Sequence, residues 1–99
     1  MKLMNLVSAA ALAAFAAGAA QAQTKWDLPS GYGANTLQVQ TLKAFADDVD
    51  KATAGKLKIT VHAGASLFKA PEIKRAVQGG QAQIGEVLLA NLANEWPIY

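Results

Sequence analysis

The order of hydrophobic patterns over residues 55–89 constrains the fold of this chain more than any other feature. Apolar and polar residues alternate over residues 57–62, as they do in a half-buried strand. A helical pattern begins at Pro71 and stops at the glycine pair 79–80, and a second alternating run covers residues 82–88. Strands separated by a helix pair in parallel through right-handed crossovers, so this segment predicts an α/β fold.

The residues before this segment extend the alternation of strands and helices. Residues 24–28 alternate, and Pro29 ends that run because proline cannot donate to a sheet ladder. Asn35 or Thr36 can cap a following helix, and Gly55 stands where a left-handed turn would end it. The whole pattern therefore predicts the order β-α-β-α-β with a parallel sheet. The apolar positions of the first helix recur at spacings of three and four residues: Val39, Leu42, Phe45, Ala46, Val49 and Ala52.

Residues 1–22 have the composition of a cleavable export signal. Lys2 gives a positive start, and residues 3–17 are mostly apolar. A small-x-small pattern ends at Ala22, so signal peptidase would cut before Gln23. The alternative is a membrane-spanning helix. The apolar run is barely long enough to span a bilayer, and alanine, which supplies ten of the residues 1–22, inserts weakly. The sequence therefore predicts a mature domain exported to the periplasm.

The cysteine count and the charge exclude several classes of protein. The chain contains no cysteine, so the lipid anchor that needs one after the cleavage site is not expected, nor are disulfides or thiolate metal sites. Without Lys2 the mature domain has eight basic and seven acidic side chains, a net charge of +1, and no basic block. This composition argues against nucleic acid as a partner, and no motif indicates a cofactor.

Ligands of open parallel sheets bind beyond the carboxyl ends of the strands, where loops and helix N-termini meet. Three segments fit that position: residues 30–35, 63–70 and 86–91. Glu86 is the sharpest candidate, because it follows Ile84 on a strand face that should be apolar. We expect its carboxylate to accept a hydrogen bond from a ligand hydroxyl or amine. The alternative is a carboxylate that is paired at the strand end or simply exposed.

The loop after the first strand partly matches a dinucleotide-binding turn. Gly31 and Gly33 flank Tyr32, but Thr36 occupies the place of the third glycine, so a phosphate cradle is not favoured. Tyr32 is a candidate to stack on or hydrogen-bond a ligand, and the alternative is a lid on the core. His62 is the only histidine, and the sequence shows neither a nucleophile elbow nor an acid that obviously orients this ring. We therefore assign no catalytic residue and no metal site.

Two stretches of the sequence carry a family resemblance. The first is FADDVDKATAGKLKITVHAGASL, and the second, after a short linker, is EIKRAVQGGQAQIGEV. Together they resemble the extracytoplasmic solute receptors of tripartite ATP-independent periplasmic (TRAP) transporters, of the dicarboxylate-binding DctP type. The likeness extends from Trp26 to Tyr99, and the I-K-x-x-x-x-G-G-x-x-x-x-G spacing of the second stretch is fairly specific.

The resemblance implies two α/β lobes of a type II-like periplasmic binding protein. Such lobes close on a small organic anion and deliver it to membrane permease subunits driven by an ion gradient. The family arginine that pairs with a ligand carboxylate is expected beyond Tyr99, since Arg75 lies on the wrong element. Residues 23–99 would then be a truncated N-terminal lobe that cannot bind solute alone. By position, the resemblance implies these cleft residues: Ser30, Gly31, Tyr32 and Glu86.

Other functions remain open from the sequence. The receptor of an ATP-driven importer shares the two-lobe design, and its genetic neighbours would include an ATPase. A periplasmic hydrolase would need a positioned nucleophile and base. A product of an interrupted gene would have no activity of its own.

Overall fold

The computed structural model describes residues 23–95. The predicted signal peptide, residues 1–22, and the end of the chain, residues 96–99, lie outside the described residues. Within the described part, no helix has the length and apolar character needed to cross a membrane. The elements are, in chain order, β1 (Thr24–Pro29), α1 (Leu37–Ala52), β2 (Leu57–His62), a 3₁₀ turn (Ala70–Glu72), α2 (Ile73–Gln78) and a second 3₁₀ turn (Leu89–Leu92).

The two strands β1 and β2 pair in parallel. Leu28 lies opposite Val61 in the register, so the apolar positions of both strands share one face of the sheet. Leu28 is 1% exposed. Helix α1 connects the strands and packs against β2. These three elements form the first β-α-β unit that the sequence predicts.

Local signals set both ends of α1. The helix begins where Thr36, one of the two predicted capping residues, accepts a hydrogen bond from the Val39 N–H through its hydroxyl oxygen, at 3.3 Å. After its last residues the chain turns through Ala54 and Gly55, whose φ angles are +52° and +78°. Gly55 adopts this left-handed conformation without the penalty that a Cβ brings, so it is the stop that the sequence predicts.

The buried face of α1 is narrower than its apolar pattern. Val39 and Ala46 are buried, but Phe45 is 43% exposed, so its predicted place in the buried stripe is wrong. At 3.6 residues per turn Phe45 lies about 120° around the helix from Val39. That angle puts Phe45 at the edge of the face that meets the sheet.

Helix α2 follows the pattern predicted for it, although it is short. Pro71 lies in the 3₁₀ turn that leads into the helix, where its missing N–H costs nothing. Two of its apolar residues, Ile73 and Ala76, are 1% and 2% exposed, so this face of the helix is buried. The helix ends at Gly79, and Gly80 then takes a φ of +78°.

The third predicted strand, residues 82–88, does not form. The sheet within residues 23–95 consists of β1 and β2. The segment nevertheless runs along the edge of β1 that faces away from β2. There the Glu86 N–H donates to the Pro29 carbonyl at 3.1 Å. The Asp27 N–H donates to the side-chain oxygen of Gln83 at 2.8 Å. A side chain thus replaces a backbone acceptor, and the regular ladder is lost at that point.

Gly85 allows this segment to approach α2 closely. A Cβ at residue 85 would lie 2.5 Å from Cγ2 of Ile73 and 3.2 Å from Cγ2 of Val77. Ile73 is buried and cannot move aside cheaply. The glycine is therefore required by packing, and it fixes the position of the residue that follows it.

We expect Gly85→Ala to lower the free energy of unfolding by about 1–3 kcal/mol, because the added methyl group overpacks the contact with Ile73. Gly33→Ala is the matched control, since a Cβ at residue 33 meets no atom within 4 Å. Urea unfolding followed by circular dichroism measures both variants. Equal stability of the two variants would contradict the packing role of Gly85.

Candidate functional site

Two loops meet at the carboxyl ends of the strands: the first loop, residues 30–36, and the second loop, residues 63–69. The Ser30 N–H donates to the His62 carbonyl at 2.9 Å, and the Ser30 carbonyl accepts from the Ala65 N–H at 3.0 Å. The Gly64 N–H donates to the Tyr32 carbonyl at 2.6 Å. Three backbone hydrogen bonds therefore hold the first loop against the end of β2 and the second loop.

The side chain of Ser30 connects the first loop to Glu86. Ser30 is 0% exposed, and its Oγ lies 2.6 Å from Oε1 of Glu86. The same Oγ accepts a hydrogen bond from the Tyr32 N–H at 3.1 Å. A serine hydroxyl has one proton, and a buried one cannot give it to water, so the proton is donated to Glu86. The carboxylate of Glu86 is therefore the acceptor in this pair.

The backbone around Glu86 is held as firmly as its side chain. Its N–H donates to Pro29, and the preceding Gly85 packs closely against Ile73. The side chain is half-buried. Among the described residues, the second carboxylate oxygen, Oε2, has no hydrogen-bond partner. Glu86 thus presents a fixed acceptor at the carboxyl end of β1.

Glu86 stands on the wall of an open cleft of about 1110 Å³. The first loop, α2 and the segment after residue 85 form this wall. Of the predicted site residues, Gly31, Tyr32 and Glu86 line the cleft, whereas Ser30 lies behind them and contacts Glu86. Their roles as ligand contacts stay predictions. Other residues of the wall are Lys74, Arg75, Val87, Leu88, Asn91 and Leu92.

Two basic residues of α2 lie on the wall of this cleft. Lys74 and Arg75 both line it, and Arg75 is exposed. Lys74 forms an ion pair with Glu95, which joins α2 to the end of the described chain. Within residues 23–95, no ion pair joins either cation to Glu86. The carboxylate of Glu86 therefore has no direct ion-pair partner on α2.

Gly31 has a steric role in the same place. A Cβ at residue 31 would lie 2.7 Å from the Cβ of Ala70. The absence of a side chain lets the first loop approach the 3₁₀ turn that precedes α2. This contact explains the glycine by packing, and a ligand contact by its backbone remains a prediction.

The structure also pairs two residues that the sequence did not connect. Oδ1 of Asp27 lies 2.8 Å from Nε2 of His62, so an acid does orient this histidine. In the parallel register Asp27 lies opposite Thr60, which places His62 two residues further along on the same face. The sequence could not predict this pair because it does not give the strand register. Period-two alternation shows which residues share a face of one strand, but not which residues of β1 and β2 lie opposite each other. No hydrogen bond within residues 23–95 joins the His62 ring to the Ser30 hydroxyl.

The family model described as "Bacterial extracellular solute-binding protein, family 7" (DctP) matches residues 30–99. The chain belongs to this family. The match covers the first loop, the second loop and Glu86, and it confirms the resemblance found in the two sequence stretches. Family 7 is a family of extracytoplasmic solute receptors, and no enzyme activity defines it.

Solved structures of TRAP receptors are similar to the chain. DctP6, a Bordetella pertussis extracytoplasmic solute receptor binding pyroglutamic acid, is 66% identical, with a TM-score of 0.75 over 77% of this chain and 25% of that one. A marine metagenome TRAP solute binding protein specific for pyroglutamate is 52% identical, with a TM-score of 0.74 over 76% of this chain and 25% of that one.

A more distant match is a TRAP periplasmic solute binding protein from Desulfovibrio salexigens. It is 30% identical, with a TM-score of 0.62 over 65% of this chain and 20% of that one. No curated protein matches the chain significantly. The chain spans about a quarter of the length of the two more similar receptors. These likenesses confirm the predicted α/β class and favour the TRAP receptors over those of ATP-driven importers.

We expect Ser30→Ala to lower the free energy of unfolding by about 1–3 kcal/mol, because it leaves the Tyr32 N–H without its acceptor in a buried place. The amide of Tyr32 should also exchange its hydrogen faster. Ser66→Ala is the matched control, since Ser66 is exposed. Urea unfolding and hydrogen exchange measure the two effects. Unchanged protection of the Tyr32 amide in Ser30→Ala would contradict the assigned hydrogen bond.

Proposed function

We propose that this chain forms the opening part of the first lobe of a periplasmic solute receptor. In this proposal residues 1–22 direct export and are removed, and residues 23–99 begin the lobe. The receptor captures a small organic carboxylate and delivers it to the membrane permease of a TRAP transporter. The observation that carries the proposal is the 66% identity to the pyroglutamate receptor of Bordetella pertussis, over 77% of this chain.

We infer that pyroglutamate, a five-membered lactam with one carboxylate, is the ligand. The two receptors described above at 66% and 52% identity bind it, and so does a third, DctP7 of Bordetella pertussis, at 44% identity. The position of Glu86 beyond β1 agrees with the rule that places ligands at the carboxyl ends of parallel strands.

The described part of the cleft carries two cations on α2, and neither forms an ion pair with Glu86. Lys74 pairs with Glu95, and Arg75 lines the cleft without an ion-pair partner among residues 23–95. In the proposed receptor the family arginine, which lies further along the chain, supplies the bidentate pair. Binding therefore requires more of the receptor than residues 23–99.

A binding function fits the chemistry of this site better than hydrolysis. The Ser30 hydroxyl is buried and donates its proton to Glu86, so it has neither access to a substrate nor a histidine base. The ring of His62 is directed at Asp27 through Nε2. We therefore propose a receptor without catalytic activity.

Isothermal titration calorimetry tests the proposed function. We use "complete receptor" for the whole mature polypeptide, made as the full gene product or with residues 23–99 in place of the matching quarter of the Bordetella pertussis receptor. The complete receptor should bind pyroglutamate with a Kd of about 1 μM or lower, and isolated residues 23–99 should show no heat of binding. Micromolar binding by the isolated segment would contradict the need for the rest of the receptor.

Export can be tested separately by mass spectrometry of the periplasmic fraction. The mature protein should begin at Gln23. Ala22→Tyr should leave the precursor uncut, because the pocket of signal peptidase accepts a small side chain at the residue before the cut. Gln21→Tyr is the matched control and should be processed, since the residue two before the cut is not restricted in this way. Equal processing of the two variants would contradict the proposed cleavage site.

A further inference from the structure

We propose that Glu86, oriented by Ser30, selects the ligand by charge and by hydrogen-bond polarity. A ligand must offer an N–H or O–H donor at this position, and a ligand with a second carboxylate there is rejected. The inference rests on the proposed function and adds to it the residue that discriminates among organic anions.

The Ser30 hydroxyl indicates that Glu86 is a hydrogen-bond acceptor, and therefore that its ligand partner must be a donor. Its lone pair accepts the Tyr32 N–H at 3.1 Å, and its single proton goes to Oε1 of Glu86 at 2.6 Å. An ionised carboxylate has acceptor sites and no donor. The group that meets Glu86 from the cleft must therefore be a donor, because two acceptors facing each other without a proton repel.

The strictness of the selection follows from the way Glu86 is held. Its backbone is fixed by the hydrogen bond to Pro29 and by the close packing of Gly85 on Ile73. Its side chain is fixed by Ser30, which is 0% exposed. A carboxylate on a mobile loop could swing into solvent to avoid a mismatched ligand, but this one remains at the cleft wall. Preorganised groups discriminate because they cannot relax around the wrong partner.

The charge of the cleft wall adds to the selection. Within residues 23–95, Glu86 forms no ion pair; Lys74 is paired with Glu95, and Arg75 lines the cleft on α2 without an ion pair to Glu86. A second ligand carboxylate placed beside Glu86 would meet a like charge as the lobes close and remove water. A ligand with one carboxylate and one donor, such as a lactam or a hydroxy acid, avoids this repulsion.

Three ligands of similar size separate these effects in the complete receptor. Pyroglutamate carries a lactam N–H. The lactone 5-oxotetrahydrofuran-2-carboxylate has the same ring with an oxygen in place of that N–H. Glutarate replaces the ring by an open chain with a second carboxylate. Calorimetry of each ligand gives two ratios, the preference for lactam over lactone and the preference for lactam over glutarate.

We expect the wild-type receptor to prefer the lactam over the lactone by about 100-fold, since a site built to accept an N–H rejects the analogue without it. Glu86→Gln should reduce this preference to about tenfold or less and strengthen glutarate binding about tenfold, because an amide is neutral and can donate. Ser30→Ala should reduce the lactam preference as well, since Ser30 positions Glu86. Asp48→Asn removes one negative charge from the exposed side of α1 and should change neither ratio.

The outcomes separate this inference from the proposed function. If the wild-type receptor binds lactam and lactone equally, the proposed selection is overturned. This test requires no substitution in the receptor. A folded Glu86→Gln receptor with both ratios unchanged overturns it too, and pyroglutamate binding would still support the proposed function. An equal loss of affinity for all three ligands in Glu86→Gln also counts against selection, because a purely structural role has that effect. A folded wild-type receptor that binds none of the three overturns the proposed function and the selection with it.

Discussion

The structure of this site depends on the hydrogen bonds of one buried serine. Ser30 uses its N–H, its carbonyl and both functions of its hydroxyl within the protein, and it is 0% exposed. These bonds join the end of β1 to the end of β2, to the second loop and to Glu86. A buried polar group is expensive to leave unpaired, so each of the four bonds stabilises this arrangement. The loops at the carboxyl ends of the strands are positioned by this residue.

The proposal that this cleft belongs to a receptor for an organic anion requires an explanation for a carboxylate on its wall. In the proposed receptor Glu86 does not attract the ligand carboxylate, so that attraction comes from another part of the protein, and Glu86 accepts a hydrogen bond from a different group of the ligand. In the proposed two-lobed architecture, closure would bring these two kinds of contact together. Glu86 is suited to this hydrogen-bonding role because Ser30 holds its side chain and the Pro29 carbonyl holds its backbone N–H.

Much of the fold could be predicted from short-range patterns. Sequence patterns predicted three local features correctly, because each involves neighbours in sequence: the Thr36 cap, the Gly55 stop and the alternation in β2. The prediction was wrong for the third strand and for the burial of Phe45. In the first case the side chain of Gln83, 56 residues from Asp27, replaced a backbone acceptor. In the second case Phe45 lies about 120° around α1 from the buried Val39, at the edge of the face that meets the sheet.

Some features of the candidate site could likewise be predicted from the sequence, and others could not. The sequence by itself singled out Glu86 as a carboxylate among apolar residues and related the two quoted stretches to a solute-receptor family, because composition and spacing carry both facts. It could not determine that Ser30 is the partner of Glu86 or that Asp27 orients His62. Those pairs join residues 56 and 35 positions apart, and they exist because β1 pairs in parallel with β2 while the segment before Glu86 packs along its other edge. The tertiary structure decided them, since the register and the packing of Gly85 fix distances that no local pattern contains.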